Sequence, residues 1–254
     1  MTFSWTTLLI VCPLVFLAGF VDSIAGGGGL ISLPAYLLAG IPPHQAIATN
    51  KMSSSIGTTI STARYLRNGY VNYRVAIPSV LLAIGGANIG ARLILLIPEK
   101  YIQYILLFAL PAVAIFVLRG KPLEAASPVE IDKTRQLLLA VTMSFLLGIY
   151  DGFYGPGTGT FLLLIYTQLC HMTVKEAAGT VKMVNLSSNI MSLIIFLQKG
   201  QTIVLLGAIA GAFCLAGHFI GSGMVMKNGY KVVRPIVIVV LILLFIKVIS
   251  GLLG

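Results

Sequence analysis

Charge is what this chain has least of. Only 9% of its 254 residues are Asp, Glu, Lys or Arg, where a soluble domain carries about a quarter. That scarcity excludes an ordinary water-coated surface. Cysteine and histidine are also few, at three each. Cys12, Cys170 and Cys214 lie apart in apolar stretches, without metal-ligand spacing, and read as small buried hydrophobes. No His/Cys cluster suits zinc or iron, so no metal and no cofactor are expected. A Gly-rich loop ending in Lys-Ser or Lys-Thr is missing, which argues against ATP drive within this chain. Acidic residues number seven against seventeen basic ones, a net charge of +10. In a soluble protein that excess would suggest nucleic acid. Here the basic residues sit mainly in short loops between apolar runs, the pattern set by membrane orientation. The expected surface partner is a lipid bilayer, with no nucleic acid.

What the chain has in plenty is apolar sequence. Its mean hydropathy is +0.98. Runs of roughly 20 residues can cross a hydrocarbon core about 30 Å thick. Eight are expected: Leu8–Ile24, Ala46–Leu66, Val75–Ile97, Tyr101–Leu118, Leu137–Tyr154, Ala177–Leu197, Ile203–Ser222 and Val232–Leu253. Leu30–Ala39 and Phe161–Cys170 are too short to span in the ordinary way. Leu8–Ile24 has no basic segment before it and no small-residue cleavage site, so it reads as a retained helix, not a signal peptide. The fold class is therefore an all-α polytopic membrane protein located in a cell membrane.

One stretch is hydrophilic, Arg119–Arg135, with Pro122 and Pro128, and it divides the chain into halves that resemble each other. The organisation expected is a first transmembrane repeat over 1–118, a cytoplasmic linker over 119–136 and a second repeat over 137–254. Gly19-Phe-Val-Asp22 matches Gly148-Ile-Tyr-Asp151, and Gly26-Gly-Gly28 matches Gly155-Pro-Gly157. After a two-residue insertion, Ala46, Thr49, Lys51 and Met52 pair with Ala177, Thr180, Lys182 and Met183. Ser61, Leu66 and Gly69 pair with Ser192, Leu197 and Gly200, and Gly86/Gly90 with Gly217/Gly221. If each half makes five passes, counting the short element, the halves are inverted. Eleven basic residues then gather on one side and four on the other; four passes per half give nine against six. The positive-inside rule prefers the inverted arrangement, with the linker cytoplasmic.

Candidate chemistry lies at matched positions. Gly26–Gly29 and Gly155-Pro-Gly157-Thr-Gly159 interrupt apolar segments, because each glycine costs a helix about 1 kcal/mol relative to Ala. Such breaks are tolerated at membrane depth only where protein or a watery cavity satisfies the backbone. Gly27, Gly28 and Gly157 would offer N–H groups at helix starts to an anion. Lys51 and Lys182 sit about two turns into apolar helices, where an ionisable side chain is functional by default. Ser54, Ser55, Thr58 and Ser61 follow Lys51 at three, four, seven and ten residues, while Asn185, Asn189 and Ser192 follow Lys182 at three, seven and ten. Each set falls on one helical stripe. The expected substrate site comprises both lysines with Asn50, Ser54, Thr58, Asn185 and Asn189, around a small anion. Snorkelling lysines beside packing serines are the plainer reading, and the symmetry of the pair argues against it. Asp22 and Asp151 precede the breaks, where they could pair with the lysines, carry protons, or cap the next half-helix. Gly86xxxGly90, Gly207xxxGly211 and Gly217xxxGly221 read as close helix packing. His218 has Ala87 in its column and reads as a polar helix contact; Arg64, with Ile195 in its column, reads as an interface anchor.

Asp22-Ser-Ile-Ala-Gly-Gly-Gly-Gly-Leu-Ile-Ser-Leu-Pro34, Gly40-Ile-Pro-Pro, Ala48-Thr-Asn-Lys51 and Arg64-Tyr-Leu-Arg-Asn-Gly69 resemble the TauE/SafE sulfite exporter family. Gly155-Pro-Gly157-Thr-Gly159, Lys182-Met-Val-Asn185 and Ser188-Asn189 resemble its second repeat, and Pro156 departs from the glycine of the first break. The resemblance implies a bacterial or archaeal inner-membrane permease built by duplication. It also implies sulfite or organosulfonates as the substrate class. The expected function is secondary, ion-coupled transport by alternating access. A passive anion channel is one alternative. A membrane-embedded sulfur-relay enzyme using Cys170 and His171 is another, which the absence of a recognisable nucleophile–base pattern disfavours. A homo-oligomer is left open by the sequence.

Overall fold

The computed structural model describes residues 4–102, 104–105 and 132–228. Most of the expected span Tyr101–Leu118, most of the linker 119–136 and all of Val232–Leu253 lie outside the described residues. The described chain forms eight helices of ten residues or more: α1 (Trp5–Ala25), α2 (Gly29–Leu38), α3 (Pro43–Arg67), α4 (Tyr73–Leu95), α5 (Lys133–Phe153), α6 (Thr158–Gln168), α7 (Val174–Gln198) and α8 (Val204–Asn228). No strand occurs among the described residues.

Local signals set the helix ends. The Ser4 side chain caps α1 by accepting from the Thr7 N–H, and Asp132 caps α5 by accepting from the Arg135 N–H. Thr173 accepts from the Glu176 N–H, while its hydroxyl bonds the Glu176 carboxylate at 3.0 Å, tying down the first turn of α7. α3 begins at Pro43, where the missing N–H costs nothing. α3 and α7 are both 25 residues long and end alike. Tyr70 N–H reaches back to the Tyr65 carbonyl and Gln201 N–H to the Phe196 carbonyl, each at 3.0 Å, around the paired glycines Gly69 and Gly200.

Among the described residues five helices are long and apolar enough to cross a membrane: α1, α4, α5, α7 and α8. α3 is as long as α7, yet polar side chains fill its buried face: Thr49, Asn50, Lys51, Ser53, Ser55, Thr58, Ser61 and Thr62. The expected apolar run Ala46–Leu66 therefore falls short of the other spans in hydropathy, because its buried face is polar. Its neighbours are α1, α2, α7 and α8. Leucines such as Leu81, Leu138 and Leu205 are exposed on the outside of the bundle. Apolar outside and polar inside is the order expected of a protein bathed in lipid.

The packing partners repeat. α1 lies on α8 as α5 lies on α4, and α3 lies on α8 as α7 lies on α4. Each half thus lends its first helix to the last described helix of the other. Glycines make both seams: a Cβ on Gly86 or Gly90 would strike the Phe145 or Ile149 carbonyl, and one on Gly217 would strike the Phe16 carbonyl. Gly207 and Gly211 meet Met52 and Ile56 of α3. The small-residue spacings are therefore packing devices, as expected. Ala83 meets Gly148 and Ala87 meets Gly152, so α4 and α5 run in the same direction. Thr49–Ile203, Met52–Gly207, Ile56–Gly211 and Ser61–His218 rise together along α3 and α8. Lys51–Asn189 and Thr62–Lys182 run oppositely along α3 and α7.

Candidate functional site

Both breaks are real, and they meet. α1 stops at Ala25 and α2 starts at Gly29; α5 stops at Phe153 and α6 starts at Thr158. A Cβ on Gly26 would lie 2.5 Å from the Gly159 backbone, so the two turns pack back to back. Their shapes differ. The first has positive φ at Gly26 (74°) and Gly27 (85°), the second at Gly155 (97°) and Gly157 (85°). Proline cannot take positive φ, so the second left-handed residue moves one place along.

A cleft opens beside these turns. Its walls include Asp22, Gly27, Gly28, Asn50, Lys51, Ser54, Thr58, Asp151, Gly157, Asn185, Asn189 and His218. Every residue expected at the substrate site is there except Lys182, together with both aspartates. Lys182 reaches the cleft through Asp22, which is one of its walls.

Each lysine pairs with the aspartate of the opposite half. Lys51 Nζ lies 2.9 Å from Asp151 Oδ2, and Lys182 Nζ lies 2.9 Å from Asp22 Oδ2. All four side chains are buried or nearly so, which suits charges that must be paired in a low-dielectric interior. Lys51 also donates to Asn189 Oδ1 at 3.0 Å, and Asn189 donates to Asn185 Oδ1 at 3.0 Å. Lys182 also donates to the Asp22 carbonyl oxygen. Asp22 has a second role as a cap on the entry to α2, where its Oδ1 accepts the Gly28 N–H at 3.1 Å. Of the readings open for Asp22, pairing and capping are both present.

Two polar atoms on the cleft wall have no partner. Asn50 Oδ1 and Thr58 Oγ1 are buried without a hydrogen bond among the described residues. Buried polar atoms are rarely left so, and a ligand in the cleft would find both within its wall. Other members of the stripe are spent internally. Ser55 donates to the Lys51 carbonyl, and Ser61 donates to the Thr58 carbonyl.

Sequence reasoning left two contributors out of the site. Ser188 donates to Asp151 Oδ2 at 2.6 Å, and His218 sets Nε2 3.6 Å from Asp22 Oδ2. Their columns in the first half hold Gly57 and Ala87. The signal was that exchange, a hydroxyl at one aspartate where the other has room for an imidazole. Cys170 lies fully buried in an apolar cluster with Tyr166 and Met172, away from these groups. Arg64 is no simple interface anchor: it donates to the Phe219 carbonyl and Ser222 and covers the Phe219 ring at 3.9 Å.

A sequence model of the family described as "Sulfite exporter TauE/SafE" matches residues 11–248. The chain belongs to the TauE/SafE family. Relatives of similar length carry the same kind of name. A probable membrane transporter protein, ORF9, of Sinorhizobium sp. is 35% identical over 92% of this chain and 89% of its own. A probable membrane transporter protein of Haemophilus influenzae (strain Rd) is 33% identical over 95% and 94%. The probable membrane transporter protein YfcA of Escherichia coli (strain K12) is 30% identical over 93% and 90%. No solved structure matches the chain. With five apolar helices among the described residues, this TauE/SafE protein is a multi-pass membrane transporter.

Proposed function

We propose that this transporter carries small sulfur-containing anions, sulfite or organosulfonates, by ion-coupled alternating access. The observation carrying the reading is the pair of exchanged ion pairs, Lys51–Asp151 and Lys182–Asp22, around a cleft where Asn50 Oδ1 and Thr58 Oγ1 have no partner among the described residues. An oxyanion can replace a carboxylate at a lysine with little geometric change, because both present oxygens to N–H donors. An anion held by Lys51, Asn189 and the Thr58 hydroxyl would free Asp151. The bond between the halves would loosen, and one half could rock against the other. Gly27 and Gly157 let backbone approach the same space. The family description supports the choice of sulfur oxyanions.

The halves are inverted in this reading, with the linker 119–136 on the cytoplasmic side. Its support is the direction of the seams. α3 and α7 run oppositely, α4 follows α5, and α8 follows α3. α3 and α7, which are repeat counterparts, are antiparallel to each other, as inversion requires. The face that receives the end of α3 then carries Arg64, Arg67, Arg74 and Lys175, in keeping with positive-inside orientation. In bacteria or archaea the membrane would be the cytoplasmic one.

The test is uptake of radiolabelled sulfite, thiosulfate and a small sulfonate into proteoliposomes, with and without an imposed pH gradient. Saturable sulfite flux that follows the gradient is expected. Flux of none of the three would remove the substrate class, and saturable flux indifferent to every imposed ion gradient would remove the coupling.

A further inference from the structure

The two aspartates are surrounded differently, and the difference bears on which ion is coupled. Asp151 receives Lys51 and the Ser188 hydroxyl on one oxygen. Asp22 receives Lys182 on Oδ2 and the Gly28 N–H on Oδ1, and it faces His218. Ser61 has one hydroxyl hydrogen and directs it at the Thr58 carbonyl, 3.0 Å away. Its oxygen therefore accepts from His218 Nδ1, also at 3.0 Å. A neutral imidazole carrying its proton on Nδ1 has a bare lone pair on Nε2. That lone pair points across 3.6 Å at the Asp22 carboxylate, itself an acceptor. In that tautomer two acceptors face each other with no hydrogen between them.

We propose that the coupling ion is a proton, and that His218 Nε2, facing Asp22, is the one place in the cleft that takes it up. The inference rests on the anion-transport reading. Two lysines and two aspartates balance when the cleft is empty. A singly charged anion adds one uncompensated negative charge in a buried site, which is costly. A proton on Nε2 restores the balance and turns the facing acceptors into an imidazolium–carboxylate hydrogen bond. It loosens the hold of Asp22 on Lys182 at the same moment. The charged and titratable groups around His218 are Asp22 on α1, Lys182 on α7, Arg64 on α3 near the following turn, and Cys214 one turn before on α8. Room for the ring is made by Gly57, where a Cβ would stand 2.7 Å from His218 Cδ2. The second half has Ser188 in that column and Ala87 opposite, so it holds no equivalent site.

Full-length protein in proteoliposomes is assayed for net sulfite uptake under a pH gradient and for sulfite exchange at equal concentrations, which needs no proton release. In His218→Gln the ratio of net flux to exchange is expected to fall at least tenfold. An unchanged ratio overturns the proposal. Nitrogen NMR of the histidine-labelled wild type, which has three histidines, supplies a readout independent of substrate and of the variant's folding. One Nε2 should be bare at high pH, gain a proton on acidification, and titrate elsewhere in Asp22→Asn. An Nε2–H already present at high pH on His218 overturns the proposal. Wild type that moves no sulfite overturns the substrate reading, and the NMR result still decides the proton site.

Discussion

Asp151 and Asp22 occupy one column of the repeat and keep different company. Asp151 is closed off by a lysine and a serine hydroxyl, while Asp22 shares its lysine with a helix cap and an imidazole. The scaffolding around them is matched: equal-length central helices, paired Gly69 and Gly200 ends, and glycine seams on both sides. The packing around the two aspartates is thus alike, and the electrostatic surroundings differ. Divergence of that kind suits a carrier that binds one substrate and one coupling ion, since two identical half-sites would compete for the same ligand.

The largest effects should come from the lysines. Removing one partner of a buried ion pair costs about 3–5 kcal/mol, so Lys51→Ala and Lys182→Ala should each cut sulfite uptake at least about 100-fold. Both proteins should still reach the membrane. Wild-type flux in both would sink the site assignment. The comparison sharpens with paired neutralisation. Lys182→Ala with Asp22→Asn should recover part of the thermal stability lost in Lys182→Ala. Lys51→Ala with Asp151→Asn should recover stability but no flux, because Lys51 itself lines the cleft.

The seams are next in size, and here the halves should behave alike. A Cβ on Gly90 would press on the Ile149 carbonyl, and one on Gly221 on the Ser23 hydroxyl and Phe20 carbonyl. Overpacking of this kind costs about 1–3 kcal/mol. Gly90→Ala and Gly221→Ala should both lower the melting temperature in detergent, by comparable amounts. A large loss in one and none in the other would mean the two seams are not equivalent.

Much of this was open to a reader of the sequence, for physical reasons that can be named. A lysine in an apolar run is costly enough to advertise itself, and the repeat placed Lys51 and Lys182 in one column. Glycine runs cannot continue a helix, so both breaks showed. The crossing of partners did not show: which aspartate meets which lysine depends on the exchange of α1 and α5 between halves, which no local signal encodes. Not every member of the stripe after Lys51 offers its hydroxyl to the cleft: Ser55 and Ser61 turn back onto backbone carbonyls of their own helix, a habit of small hydroxyls in helices. His218 and Ser188 have no polar counterpart in the first half, so the matched columns gave neither a place beside an aspartate.

Thr58 offers a smaller effect that separates binding from folding. Its hydroxyl has no partner among the described residues, whereas the Thr62 hydroxyl donates to the Lys182 carbonyl at 3.2 Å. A typical hydrogen bond contributes about 1 kcal/mol net. Thr58→Val should therefore raise the KM for sulfite about fivefold without lowering stability. Thr62→Val should lower stability without raising KM. The reverse pattern would take Thr58 out of the substrate site.

The smallest effect is expected at Arg64, which lies outside the cleft on the α3–α8 seam. Its guanidinium donates to the Phe219 carbonyl and Ser222 and covers the Phe219 ring. A partly exposed arginine over an aromatic face is worth about 0.5–1 kcal/mol. The column holds Ile195 in the second half, so the seam there works without a cation. Arg64→Gln keeps hydrogen-bonding capacity and should change sulfite flux by less than about twofold, within the effect of about 0.5 kcal/mol. A loss as large as that of Lys51→Ala would place Arg64 in the transport path. It would also make the α3–α8 seam, and not only the carboxylates, a point where the two halves have parted.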